Sequence, residues 1–131
     1  MISTKHKELA IEMWYEIRDN VDCERYYGKR YDAVDIEVFK SHFCREHNIS
    51  WLCNCILCEE YRKNNCTPCS PDCPLMNRAL AKGFTTTCGC SDRIETDFKV
   101  AMDEDCEYTL EERLKAIDNI INAIKEVQTV D

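Results

Sequence analysis

Apolar residues at Leu9, Ala10, Met13, Trp14 and Ile17 recur at the spacing of one helix face. Lys5, Lys7, Glu8, Glu12, Glu16 and Arg18 fall on the other side, so the pattern predicts an amphipathic helix from Thr4 to about Asp19. Asn20 to Asp32 is polar, with Tyr26, Tyr27, Gly28 and Tyr31, and reads as a loop with one turn. A second helix is predicted over Asp35 to His47, with Ile36, Phe39, Phe43 and Cys44 inward. A third, Asp92 to Met102, would bury Ile94, Phe98 and Met102. The strongest pattern is TLEERLKAIDNIINAIKEV. Thr109 and Glu112 have capping-box spacing, and Leu110, Leu114, Ile117, Ile120, Ile121, Ile124 and Val127 form one stripe.

Between these helices, Ile49 to Cys90 holds all three prolines and two of the three glycines. Only short elements fit there: a turn at Glu59 to Lys63, and a helix at Pro74 to Lys82 with proline at its start and Gly83 beyond its end. No stretch alternates with period two over any length. The expectation is a mainly α chain: a small helical domain around an irregular cysteine-rich zinc-binding insert, with few or no strands. Its parts would be N-terminal helices (1–48), the insert (49–91) and C-terminal helices (92–131). At 131 residues this is one domain.

The insert changes the chemical picture. Eight of the eleven cysteines lie in it: Cys53, Cys55, Cys58, Cys66, Cys69, Cys73, Cys88 and Cys90. The N-terminus turns charged within five residues and offers no apolar run suited to a signal peptide, and no stretch is long enough for a membrane span. A soluble, cytoplasmic protein is therefore expected, and in a reducing compartment dense cysteines point to metal rather than disulfides. An odd total of eleven also fits poorly with a closed disulfide framework.

Structural zinc takes four ligands in tetrahedral geometry, so eight thiols suit two Zn²⁺ ions. One partition joins Cys55, Cys58, Cys66 and Cys69 and leaves Cys53, Cys73, Cys88 and Cys90 for the second ion. Another joins Cys55, Cys58, Cys69 and Cys73. A single ion, or His42 or His47 in place of one sulfur, also satisfies the spacing. The runs differ from those of iron–sulfur ferredoxins.

Lys and Arg total 17 against 25 Asp and Glu, a net charge of −8. Two thiolate-bound zinc sites would take it to about −12. Such a chain is repelled by phosphate backbones unless its basic residues gather on one face. Arg25, Tyr26, Tyr27, Lys29, Arg30 and Tyr31 supply the one segment mixing cations with aromatics. It is the candidate partner-binding loop, because tyrosine and arginine dominate interface hot spots. The same residues give the alternative of a nucleic-acid-binding zinc module that stacks and clamps single strands.

No catalytic constellation emerges, and the expectation is a protein without enzymatic activity. His42, Cys44 and His47 lie close in sequence, but only His47 shares a helical face with Cys44. They read as a half-buried thiol beside surface histidines. All-cysteine metal sites leave no open coordination position. DEDCE at 103–107 lacks the glycine-bearing loop of a calcium site and reads as acidic residues favoured ahead of a helix N-terminus.

KHKELAIEMWYEIRDN, HNISWLCNCILCEEY and the later Cys73-Pro74-Leu75 resemble a class of small bacteriophage proteins regarded as zinc-binding. The resemblance spans residues 5 to 75. It implies that Cys55, Cys58 and Cys73 are ligands. Cys69-x3-Cys73-Pro74 departs from the C-x2-C-P of the class, so Cys66 and Cys69 compete for the fourth place. It also implies a phage accessory protein in the infected bacterial cytoplasm. Together these readings anticipate a zinc-stabilised accessory protein that binds and modulates a host or defence protein. Self-association through the stripe of the C-terminal helix is the further expectation.

Overall fold

The computed structural model describes residues 3–49 and 97–129. Five helices occupy them: α1 (Thr4–Asp22), α2 (Glu24–Tyr27), α3 (Ala33–Glu46), α4 (Asp97–Met102) and α5 (Leu110–Lys125). No strand occurs among the described residues, and the mainly α architecture is as expected. The predicted turn at Glu59 to Lys63, the helix at Pro74 to Lys82 and Ile94 lie outside the described residues.

α1 begins where Ser3 Oγ accepts the His6 N–H at 3.2 Å. It runs about one turn further than its predicted end. The reason is Val21, which sits four residues beyond Ile17 on the same face and is fully buried. One buried side chain there outweighs the polar Asp19–Asn20 pair. α3 likewise starts two residues early, because Asp32 closes a capping box with Asp35: each carboxylate accepts the other residue's backbone N–H. The loop predicted for residues 20–32 thus divides into the end of α1, the single turn α2 and a short connection. α5 begins with the expected box, in which Thr109 Oγ1 accepts from the Glu112 N–H and Glu112 from the Thr109 N–H.

α5 packs on α1 and α4, while α1 also meets α2 and α3. Leu9, Ala10, Met13, Trp14 and Ile17 are all buried, as are Ile36, Phe43 and Cys44 of α3. Phe98 on α4 meets Trp14 edge to face, with centroids 5.4 Å apart. Two clamps at the surface fix α1 on α5. Arg18 Nε donates to Asp118 at 2.7 Å, and Lys7 Nζ donates to the Val127 carbonyl at 2.9 Å. The first pair is substantially exposed and contributes at most about 1 kcal/mol. The apolar contacts carry the association.

Self-association through the last helix is expected where its apolar stripe exceeds what the chain itself can cover. Within the single chain, however, Leu114, Ile117, Ile120, Ile121, Ile124 and Val127 are all buried, and Leu110 is partly so. The apolar surface on which that expectation rested is already used.

Ile117 has no exposed surface. Ile117→Ala should therefore lower the unfolding free energy by about 2–5 kcal/mol, whereas Thr109→Ala at the cap should cost about 1 kcal/mol. Denaturant titration followed by circular dichroism checks both.

Candidate functional site: the tyrosine turn and its arginine anchors

The eight insert cysteines, and with them any partition between two ions, lie outside the described residues. Among those described, Cys23 and Cys106 are exposed and Cys44 is fully buried rather than half-buried. Cys44 lies four residues from Lys40 and eight from Ile36, on the face of α3 that enters the core. His47 packs its ring on Phe43 at 4.5 Å, and His42 is exposed. No cluster of three or more metal-ligating side chains occurs among the described residues.

The segment from Glu24 to Tyr31 is well defined. α2 carries ERYY and ends at Gly28, whose φ of +66° closes the turn in the left-handed region. The Gly28 N–H donates to the Glu24 carbonyl at 2.9 Å. A residue with a Cβ takes this conformation only at a cost of about 1–2 kcal/mol, so glycine is the natural terminator. The result is that Tyr26 and Tyr27 project outward, 77% and 79% exposed. They are the most exposed large hydrophobic residues among those described.

Behind the turn lies Arg113, from the first turns of α5, with no exposed surface. Its Nε and Nη2 donate to the Ala101 carbonyl at 3.1 and 3.0 Å. Nη2 also donates to the Tyr31 carbonyl at 2.8 Å, and Nη1 to the Glu24 carboxylate at 3.3 Å. One guanidinium thus ties α5 to the end of α4, to α2 and to the segment leading into α3. Burial lowers its pKa, and repulsion from Arg30 adds to this, against the attraction of Glu24, Asp103 and the Cys106 region. Five fixed donors on a planar group suit this multiple role, which a lysine cannot reproduce.

Arg30 is held in a second pair. It donates to both the carbonyl and the carboxylate of Asp103, a residue buried at the turn after α4 with φ of +45°. The same carboxylate accepts the N–H groups of Glu107 and Tyr108. The acidic DEDCE run is therefore organised as a knot around Asp103. Burial pushes the Asp103 carboxyl up, but the Arg30 hydrogen bond and the two amide hydrogen bonds outweigh it and hold the pKa below the usual value. Burial, and then the nearby Asp35, push the Tyr31 phenol up to about 12.

Of the six residues singled out for partner binding, then, Tyr26, Tyr27 and Lys29 are exposed and outward, while Arg25 pairs with Glu111 across an exposed 3.0 Å bridge. Arg30 and Tyr31 are anchors more than contacts. Two of the three cations are matched by carboxylates, which lowers the field available to a phosphate backbone.

Arg113 was not foreseen, although its signal was present. It lies four residues before Ile117 and seven before Ile120, on the buried stripe. Lys40 shows the same pattern on α3. It is 3% exposed, with its ammonium 5.6 Å from the Trp14 ring centre, 5.9 Å from that of Phe98 and 3.6 Å from Glu37.

Arg113→Met should destabilise the protein by about 3 kcal/mol or more, since two buried carbonyls lose their donor and Glu24 loses its charge partner. Glu24→Gln, at a partly exposed position, should cost about 1 kcal/mol. Equilibrium unfolding measures the difference. Asp103 has a folded pKa below its ordinary 3.8. Its contribution is therefore complete above that value and disappears as pH falls through the lowered one. Acid unfolding of Asp103→Asn should start from lower stability and show a shallower pH dependence in that range.

No family model, no curated protein and no solved structure matches this chain.

Proposed function

We propose that this protein is a zinc-stabilised, non-enzymatic interaction module that docks a partner protein on the tyrosine turn. The observation that carries the reading is the pairing of near-complete exposure at Tyr26 and Tyr27 with a rigid support beneath them. Exposed aromatic side chains on a fixed backbone lose little freedom on binding, which is the economy of good recognition surfaces. The turn is fixed by the Gly28 cap, by Arg113 on the Tyr31 carbonyl and by Arg30 on Asp103.

Zinc enters through the donor set. Eight thiols in residues 53–90, several in x2-spaced pairs, have the chemistry of closed tetrahedral sites. Structural zinc in such sites contributes roughly 10–16 kcal/mol at neutral pH, comparable to the whole stability of a small domain. The resemblance to small phage proteins makes a host or defence protein in an infected bacterium the partner of choice.

Elemental analysis of the purified protein should return about two zinc ions per chain, and a thiol reagent should gain about eight fast-reacting groups once a strong chelator is added. Tyr26→Ala/Tyr27→Ala should keep the helical signal and the thermal midpoint. Recovery of the partner by affinity purification from infected cells should nevertheless fall about tenfold or more, as for paired hot-spot residues. Undiminished recovery would remove the turn from the interface. Zinc-free native material would remove the metal.

A further inference from the structure

A groove runs beside the tyrosine turn along the seam of α1 and α3. It is made of two open clefts, of about 320 and 490 Å³, that share Tyr31 and Asp35. The floor of the larger is apolar, built from Val38, Phe39 and Phe43 of α3 together with Tyr31. Val38 is 52% exposed, and Val34, one turn earlier on the same helix, is 70% exposed. Such residues are not needed for the packing of the described helices on one another.

The rim gives the larger cleft a sign, whereas Lys29 and the Asp103-paired Arg30 line the smaller one. Glu16 from α1, with Asp35 and Glu46 from α3, places three carboxylates around the larger cleft, with His42 the one basic side chain among its described lining residues. Neither Glu16 nor Glu46 is in an ion pair with another described residue. From Asp35 to Glu46 the groove follows α3 for about 16 Å, or three helical turns.

From this geometry we infer that the groove takes a basic amphipathic helix of a partner protein, its apolar side against Val38 and Phe39 and its Lys or Arg residues against Glu16, Asp35 and Glu46. An apolar strip flanked by carboxylates fits a helix with the opposite arrangement, and three turns supply the i, i+4, i+7 anchors that such grooves read. Charge complementarity sets the choice: an acidic helix meets three like charges. The inference rests on the reading of the protein as an interaction module and names the partner's chemistry. The tyrosine turn then borders the groove, where Tyr27 lines the smaller cleft.

The test uses the full-length, metal-loaded protein and a fluorescent Leu/Lys amphipathic peptide of about eighteen residues, long enough to hold a helix. An acidic Leu/Glu peptide of equal length is the counter-probe. Fluorescence anisotropy should show binding of the basic peptide, with at least about tenfold loss in Val38→Asp and in Glu16→Lys/Glu46→Lys. Glu107→Lys/Glu126→Lys, which makes the same change in net charge outside the groove, should retain the parent affinity. The acidic peptide should not bind. Equal losses in both double variants would show general attraction to an acidic protein and overturn the inference, as would full affinity in Val38→Asp with its helical signal intact. Partner recovery from infected cells separates the two proposals. If it fails in Tyr26→Ala/Tyr27→Ala but persists in both groove variants, the groove assignment falls and the interaction reading stands. If it persists in all of them, the tyrosine turn leaves the interface as well, and if no partner is recovered even with the parent protein, the interaction reading falls.

Discussion

The described part of this molecule turns on a charge placed where hydrophobic side chains would be expected. Arg113 enters the core with no contact with water, so every donor it carries must find an acceptor inside the protein. Those acceptors come from Glu24, Tyr31 and Ala101, which belong to three separate stretches of chain. Apolar contacts between α1 and α5 would tolerate small rotations and slips. A guanidinium fork shared among a carboxylate and two carbonyls does not, because each displacement leaves a buried polar group unmatched. The core thereby gains a fixed orientation for the segment between α1 and α3, which is where the exposed tyrosines sit.

Much of the fold could be read in advance, for a physical reason. Helices that bury a continuous stripe leave a periodic imprint, and α1, α3 and α5 all show it. Ends were less legible than faces. α1 outran Asn20 because Val21 still pointed inward, and α3 began early because Asp32 and Asp35 cap one another. Chemical character misled at Arg113 and Lys40. Both lie at buried helical positions, yet a charge is normally assigned to solvent unless what buries it is visible; the partners of Arg113 are 12 to 89 residues away, and Lys40, beside its local partner Glu37, is covered by distant aromatic faces. The six residues proposed as the candidate partner loop divide into outward side chains and inward anchors. That division depends on Asp103 and Arg113, which no local pattern links to the loop.

Zinc binding, as proposed, would give the chain two kinds of ordering. Residues 3–49 and 97–129 are organised by apolar burial and by a few buried ions. Residues 53–90 carry thiols at a density that apolar burial does not explain, and zinc is the proposed reason. On that view the protein combines a helical body that holds the recognition turn with a metal-dependent part whose integrity responds to zinc supply and to thiol oxidation. Acidic charge over the whole chain fits the same picture, since it favours basic protein partners over nucleic acid.

Gly28 sets the exit from α2, and a Cβ built there would touch nothing within 4 Å. The demand at this position is for handedness alone, with no demand for room. Asparagine, which tolerates the left-handed basin best after glycine, is therefore the residue this corner can accept at least cost during divergence. β-Branched residues are closed to it by torsional strain. A corner limited in this way keeps its shape while the exposed aromatic pair beside it is free to vary, so the surface it presents can change without rebuilding the scaffold.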